Sequence, residues 1–368
     1  MRRPVMIMAG GTGGHIFPAL AVAQSLTQQK VPVVWLGARG GMESRLVPAA
    51  GYPLVELAVK GLRGKGAIAL LLAPFKISIA VVQALIAVLK YRPRAVLGLG
   101  GFASGPGGLA AWILHRPLLI HEQNSIPGLT NRWLAGLSRC VMEGFPDSFR
   151  AVRVSAPVVH VGNPVRASIR NLPETRVRLT GRQGHMRIFV VGGSLGALSL
   201  NTVVPGAVAR LSDEVEIWHQ TGERHLEQTR ETYQAQGVKA RVDAFIDDMA
   251  EAYGWADLVI ARSGALTVTE LAQAGVASVL IPYPYAVDDH QTANAQKLVR
   301  CGAGVMIADA DLNVETLSAC LAELCRSRET LLEMGEQTRP LRKPDAADVV
   351  AGLCLGTLNP LELQEVQA

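Results

Sequence analysis

"IMAGGTGGHIFPALAVAQSL", residues 7–26, runs from a short apolar segment through four glycines in five positions into helix-forming residues. Strand, glycine turn and helix in that order open a βαβ unit, and the helix start behind the turn offers unpaired N–H groups and a positive dipole end to an anion. The pattern returns at "IFVVGGSLGA", residues 188–197. Around the first copy lie the apolar, β-branched runs 5–9, 31–37, 53–59, 95–100, 117–122, 140–143 and 158–162. Around the second lie 187–193, 215–222, 241–246, 257–264, 278–284 and 304–309. Most are separated by enough residues for a helix, which predicts parallel sheets covered on both faces. The fold class expected is therefore α/β: two Rossmann-like doubly wound domains facing a cleft, with ligands beyond the carboxyl ends of the strands. The seam is read in the Pro-, Gly- and Arg-rich stretch 162–185. The domains are then 1–162, rejoined by a helix at about 341–358, and 163–340.

Length and composition agree. A chain of 368 residues, 49% hydrophobic with 37 glycines, suits two α/β domains better than a disordered or fibrous class. The net charge of +5 conceals an asymmetry. Residues 1–163 hold 17 Lys and Arg against 5 Asp and Glu, whereas residues 188–368 hold 13 against 25. Only the first half is expected to meet an anionic partner. Five scattered cysteines form no CxxC pair and read as reduced thiols. Arg2 and Arg3 precede too short an apolar run for a signal peptide.

Other motifs fall where strands end. The spacing in 10–16 is not G-x-G-x-x-G, and no glycine turn is followed by Lys-Ser or Lys-Thr, so dehydrogenase and P-loop readings fail. "GGFASGPGG" (100–108) reads as a third glycine turn. In "RSGALTVTELAQAG" (262–275), Thr267 and Glu270 fit a capping box, while Glu270 equally suits the two hydroxyls of a ribose. "PYPYAVDDHQTANA" (282–295) offers Asp288, Asp289, His290, Gln291 and Asn294 to sugar hydroxyls. "DAD" at 309–311 imitates a metal motif, but no metal and no cofactor is expected.

"GGTGGH", "GGFASGPGG", "HEQN", "GNPVR", "GGSLGA", "RSGALTVTE" and "HQTANA", in that order over 10–295, closely resemble the MurG family, the bacterial N-acetylglucosaminyltransferases of peptidoglycan synthesis. The resemblance implies a GT-B fold, with the last helix returning to the first domain. It also implies inverting, metal-independent transfer from UDP-N-acetylglucosamine to the 4-hydroxyl of lipid I, undecaprenyl-diphospho-N-acetylmuramoyl-pentapeptide. Nucleic acid is not an expected partner. It places Thr12, Gly13, Gly14 and Asn124 beside the donor sugar, and Arg166 and Ser194 near the nucleotide and its diphosphate. Ile246 meets the uracil through its backbone. Ala265, Leu266, Thr267, Val268, Thr269 and Glu270 follow the diphosphate and ribose, and Gln291 holds the N-acetylglucosamine. Leu195 departs from the usual "GGSQGA".

His15, just past the first turn, has two readings: a histidine bonding a nearby carbonyl, or the base that activates the acceptor. His121 and Glu122 are rival bases. The apolar segment 67–90 implies a helix of about 17 residues, or ~26 Å, marginal for a bilayer. Lys76, Gln83 and Lys90 mark one polar stripe. Phe75, Ile79 and Trp112, ringed by Arg63, Lys65, Lys76, Arg92 and Arg94, are expected to rest on an anionic membrane surface. That places the chain peripherally on the cytoplasmic face of the inner membrane.

Overall fold

The computed structural model describes residues 3–59, 73–211 and 215–367. The chain divides into two compact units, Met1–Arg166 with Lys343–Ala368, and Ala167–Arg342. Both sheets are parallel throughout.

In the N-terminal unit seven strands are ordered β3-β2-β1-β4-β5-β6-β7. They are β1 (Val5–Met8), β2 (Val33–Ala38), β3 (Leu54–Leu57), β4 (Ala95–Gly98), β5 (Leu118–Glu122), β6 (Cys140–Glu143) and β7 (Val158–His160). The inner strands β1, β2 and β4 alternate between two apolar layers, so continuous apolar runs were needed. Val5 and Ile7 pack with the helix Gly13–Gln28 on one face, and Met6 and Met8 with the helix Ser104–Ile113 on the other. Gly107 and Gly108 of the expected third glycine turn lie inside that second helix. A Cβ on Gly107 would strike Met8 and Leu36, and one on Gly108 would strike Leu134. Only Gly100 and Gly101 belong to the turn itself.

Two helices, not the single one expected, close the chain: Ala346–Leu355 and Pro360–Gln367. Val350, Ala351, Leu353 and Cys354 join the core of the N-terminal unit, and Ser25 Oγ donates to Asp348 at 2.6 Å.

The C-terminal unit repeats the same winding with six strands, β10-β9-β8-β11-β12-β13. These are β8 (Met186–Val191), β9 (Val215–Gln220), β10 (Ala240–Asp243), β11 (Leu258–Ala261), β12 (Ala277–Leu280) and β13 (Gly304–Met306). In both units the winding reverses beside the first strand, at β1/β4 and at β8/β11. Open α/β sheets bind ligands at that switch point.

His219 of β9 belongs to a buried polar chain. Asn201 Nδ2 donates to Thr221 O at 3.0 Å, and its Oδ1 faces His219 Nε2 at 3.1 Å. An amide oxygen only accepts, so Nε2 carries the proton and Nδ1 accepts from the Tyr233 hydroxyl at 2.9 Å. Complete burial pushes His219 down from 6.5 to about 3. Below pH 6.5 the unfolded chain therefore binds a proton at this position that the folded chain does not, and stability is lost as pH falls. Between pH 6.5 and 5.5 the loss at this site is about 1 kcal/mol, because the unfolded histidine is already half protonated at the upper value. Urea unfolding of the full chain at both pH values checks this: His219→Gln should lose less stability than wild type by about that amount, and equal losses would contradict it.

Candidate functional site

In the C-terminal unit the glycine turn after β8 interlocks with the turn after β9. Gly196 and Gly222 both have positive φ, and a Cβ on Gly196 would meet Thr221 O while one on Gly222 would meet Leu195 O. Backbone lies on backbone, a packing that only glycine allows. Gln220, 2% exposed at the end of β9, ties this turn to the next loop. Its Nε2 donates to Gly193 O at 3.0 Å, and its Oε1 accepts from Ile246 N at 3.1 Å. Sequence reasoning missed Gln220; a polar residue ending an apolar strand was its only signal. The Ser194 and Leu195 side chains are exposed. The departure at Leu195 therefore costs this backbone turn nothing.

Past β11, Arg262 is buried and fully engaged. It donates to Ile281 O, Pro282 O and Ser199 Oγ at 3.1, 3.0 and 2.7 Å and pairs with Asp309 at 2.6 Å. Asp309, the first residue of the "DAD" stretch, also accepts from Ser199 at 2.9 Å. The helix Ala265–Ala274 starts after Gly264, its N-cap. Thr267 therefore sits inside the first turn, and the expected capping box does not form. Among the described residues no side chain caps this helix start. Glu270 is buried and accepts from the Tyr253 hydroxyl at 3.1 Å. Ser263 Oγ donates to Gln291 O at 2.8 Å, Asn294 Nδ2 to Ser263 O at 3.3 Å, and Tyr283 N to Gln291 Oε1 at 2.9 Å. The loops after β8, β9, β10, β11 and β12 thus form one hydrogen-bonded rim. It gathers Ser194, Ile246, Ala265–Glu270 and Gln291.

The first glycine turn is built differently. Glu43, completely buried, opens the helix Glu43–Ala49 just past β2. It accepts from Gly11 N at 3.0 Å and from Ala38 N at 2.9 Å. The anion lying on Gly11 is the chain's own carboxylate. Sequence reading passed over this residue.

The helix behind begins after Thr12, leaving Gly13, Gly14 and His15 in its first turn. The half-buried His15 ring has Nδ1 3.1 Å from Gly10 O and 3.4 Å from Thr12 Oγ1. A carbonyl only accepts, so Nδ1 carries the proton and Nε2 is the basic nitrogen. The ring lies over Gly100, where a Cβ would come within 2.9 Å of Nε2. The Arg166 guanidinium stacks on the Phe17 ring of the same helix at 4.9 Å.

His121 and Glu122 are excluded as bases. His121 is fully buried, its Nε2 2.9 Å from Gly162 O and its Nδ1 3.1 Å from Gln123 Nε2, and burial pushes its pKa down. The Glu122 carboxylate takes four bonds: from Asn124 N and Nδ2 at 3.0 Å, Gly128 N at 3.0 Å and Asn131 Nδ2 at 2.8 Å. It shapes the loop that presents Asn124. Among the described residues no His, Cys, Asp and Glu cluster could hold a metal ion.

The apolar segment forms the helix Ala73–Tyr91 between β3 and β4; residues 67–72, Arg63 and Lys65 lie outside the described residues. By length and composition Pro74–Tyr91 could cross a membrane, but Ala84, Ala87 and Val88 pack it onto the core beside the helix Ser104–Ile113. Gln83, of the expected polar stripe, accepts from Ala58 N at 2.8 Å. Phe75 (67%), Ile79 (37%), Val82 (54%), Ile86 (59%) and Leu89 (58%) are exposed along one line, and Trp112 (52%) on the neighbouring helix is exposed too.

Residues 5–143 match the glycosyltransferase family 28 N-terminal domain and residues 187–350 its C-terminal domain. An Alkalilimnicola ehrlichii protein is 52% identical over 96% of this chain and 99% of its own, and one from Marinobacter nauticus is 49% identical over 97% and 98%. Both are named UDP-N-acetylglucosamine–N-acetylmuramyl-(pentapeptide) pyrophosphoryl-undecaprenol N-acetylglucosamine transferase. The crystal structure of Acinetobacter baumannii MurG matches with TM-score 0.81 at 40% identity, covering 96% of this chain and 99% of that one. The chain belongs to glycosyltransferase family 28 and, within it, to the MurG family.

Proposed function

We infer that this chain transfers N-acetylglucosamine from UDP-N-acetylglucosamine to the 4-hydroxyl of the muramoyl sugar of undecaprenyl-diphospho-N-acetylmuramoyl-pentapeptide, lipid I, giving lipid II with inversion. One observation carries the reading: half-identity over nearly the full length to transferases named for this donor and acceptor. The contrast between the two glycine turns supports a division of labour. The turn at Gly11 is filled by Glu43, whereas the turn at 192–197 is held by a neutral amide and stands beside the uncapped helix start at Ala265. The second is the natural seat of a nucleotide diphosphate.

In this reading Ser194 and the N–H groups of Ala265, Leu266 and Thr267 take the diphosphate, Val268 and Thr269 continue that helix, and Glu270 takes the ribose. The Ile246 N–H is spent on Gln220, so its carbonyl meets the uracil N3–H. Gln291 and Asn124, with Thr12, Gly13 and Gly14, border the sugar, and Arg166 attends the leaving diphosphate. The acceptor oxygen bonds the anomeric carbon as the bond to UDP breaks, and His15 Nε2 takes the hydroxyl proton. The bare helix start meets the charge that develops on UDP.

The line of Phe75, Ile79, Val82, Ile86 and Leu89, with Trp112, Lys76 and the basic N-terminal unit, supports a peripheral seat on an anionic membrane, the cytoplasmic face of the inner membrane. A polyprenyl-linked acceptor is met there.

A radiolabelled-sugar transfer assay tests the activity: UDP release should require lipid I or a mimic, and release without acceptor would mark a hydrolysing epimerase instead. His15→Ala should lower kcat about 10²–10⁴-fold, and turnover near wild type would remove His15 as the base. Gln220→Leu should raise KM for the donor about tenfold, the cost of roughly one lost hydrogen bond to the rim, with kcat little changed; an unchanged KM would contradict the bridge. Phe75→Glu with Val82→Glu should abolish flotation on anionic vesicles without lowering the melting temperature. Full flotation of that variant would refute the membrane seat.

A further inference from the structure

We propose that Glu43 is a positioning residue for the base, acting on His15 through the single peptide unit that joins Gly10 to Gly11. The inference rests on the reading of His15 as the base.

The two ends of that peptide are engaged by different side chains. Its N–H, on Gly11, donates to Glu43 Oε2 at 3.0 Å, and its C=O, on Gly10, accepts from His15 Nδ1 at 3.1 Å. Carboxylate, amide and imidazole form one chain of two hydrogen bonds pointing the same way. Bonds in series polarise one another. The carboxylate draws the N–H, electron density shifts toward the carbonyl oxygen, and that oxygen becomes the better acceptor for Nδ1–H. Two consequences follow at the ring. Its proton is fixed on Nδ1, so Nε2 presents a lone pair. When Nε2 takes a proton from the acceptor hydroxyl, the resulting imidazolium faces a carbonyl backed by a negative charge. No proton crosses the peptide; Nδ1–H stays where it is throughout.

The surroundings leave the peptide little freedom. Glu43 is completely buried, and its other oxygen is held by Ala38 N at 2.9 Å. A Cβ on Gly10, Gly37 or Gly41 would collide with its side chain, so three glycines enclose the carboxylate. Trp35 Nε1 donates to Ala9 O at 2.8 Å, fixing the preceding peptide. On the far side, the backbone of Gly101 packs against Gly10 so closely that a Cβ there would meet its carbonyl. A carboxylate buried in this position and bonded only to backbone has a purely structural alternative, that of closing the turn. The alternative predicts no effect on which imidazole nitrogen is protonated.

The test is nitrogen-resolved NMR of the imidazoles in the full-length 15N-labelled chain, with the His15 signals assigned by their loss in His15→Gln. Wild type should show His15 as the Nδ1–H tautomer. Glu43→Gln, which keeps the shape but offers one acceptor for two N–H groups, should give a mixture of tautomers. Its kcat should fall about 10–100-fold with KM for UDP-N-acetylglucosamine within about twofold, a fraction of the ~10⁴-fold cost of disturbing a directly bonded carboxylate–imidazole pair. Thr12→Val, which removes only the 3.4 Å contact, should keep the wild-type tautomer. An Nε2–H tautomer in wild type overturns the proposal, and that measurement needs no variant to fold. A wild-type tautomer and kcat in folded Glu43→Gln overturn it equally. Full turnover by His15→Gln would instead remove the base reading on which the proposal stands, leaving the tautomer result to be read separately.

Discussion

Each unit turns on a buried polar side chain that reaches from the end of its second strand to the glycine turn after its first. In the N-terminal unit it is Glu43, just past β2; in the C-terminal unit it is Gln220, the last residue of β9. Parallel strands end together, so their loops crowd at one edge of the sheet, and each loop needs partners for its backbone groups. A glycine turn has no side chains of its own to supply them. The neighbouring strand does so, and the chemistry it supplies sets what the turn can hold. A carboxylate consumes an N–H and brings a negative charge, leaving no room for a second anion there. An amide braces a carbonyl on one side and an N–H on the other and adds no charge.

This contrast changes how the charge asymmetry of the chain is understood. Two arginines of the basic stretch 164–187 serve the fold: Arg178 donates to Tyr253 O, Ala274 O and Gly275 O, and Arg182 to Gly254 O, Trp255 O and Asp257. These are the carbonyl ends of the helices Met249–Trp255 and Ala265–Ala274, where a guanidinium satisfies orphan acceptors and opposes the dipole. Arg328 and Arg342 do similar work at Asp257 and at Ala272 O. The seam is basic because it clamps helix ends. The excess of positive charge that remains for partners lies in the N-terminal unit, on the same unit as the exposed apolar helix.

The inner strands were legible because burial on both faces writes an unbroken apolar run, and the two glycine turns because the chain must reverse sharply after each first strand. Glu43 was not legible. Its bond to Gly11 spans 32 positions and follows from strand order, which no local period encodes. The same blindness made His121 and Glu122 resemble bases: a His-Glu pair at a strand end looks catalytic until Gly162, Gln123, Gly128 and Asn131 are seen to saturate it. Thr267 and Glu270 misled in the opposite sense, since S/T-x-x-E marks a helix start only when the threonine lies outside the helix. Gly264 holds that position instead.

The helix Ala73–Tyr91 inverts the usual amphipathic rule. Its buried line is small, with Ala80, Ala84, Ala87 and Val88, and its exposed line is large, with Phe75, Ile79, Val82, Ile86 and Leu89. Small residues let the helix lie close to its neighbour, Ser104–Ile113, whose buried residues include Gly107, Gly108, Ala110 and Ala111. That close approach accounts for the inner face and says nothing about the outer one. Five large side chains in water gain the folded chain nothing and cost it solubility. Their spacing of four and three residues alternates and keeps these five on one line; Ile77, 41% exposed near the helix start, lies off it. A line of this kind is what a flat apolar medium requires of a helix lying along it. In the proposed membrane seat the two lysines nearest its ends, Lys76 and Lys90, would meet headgroup phosphates. The fold holds the helix by its small face and leaves the large face exposed, which is the observation behind the proposed membrane seat.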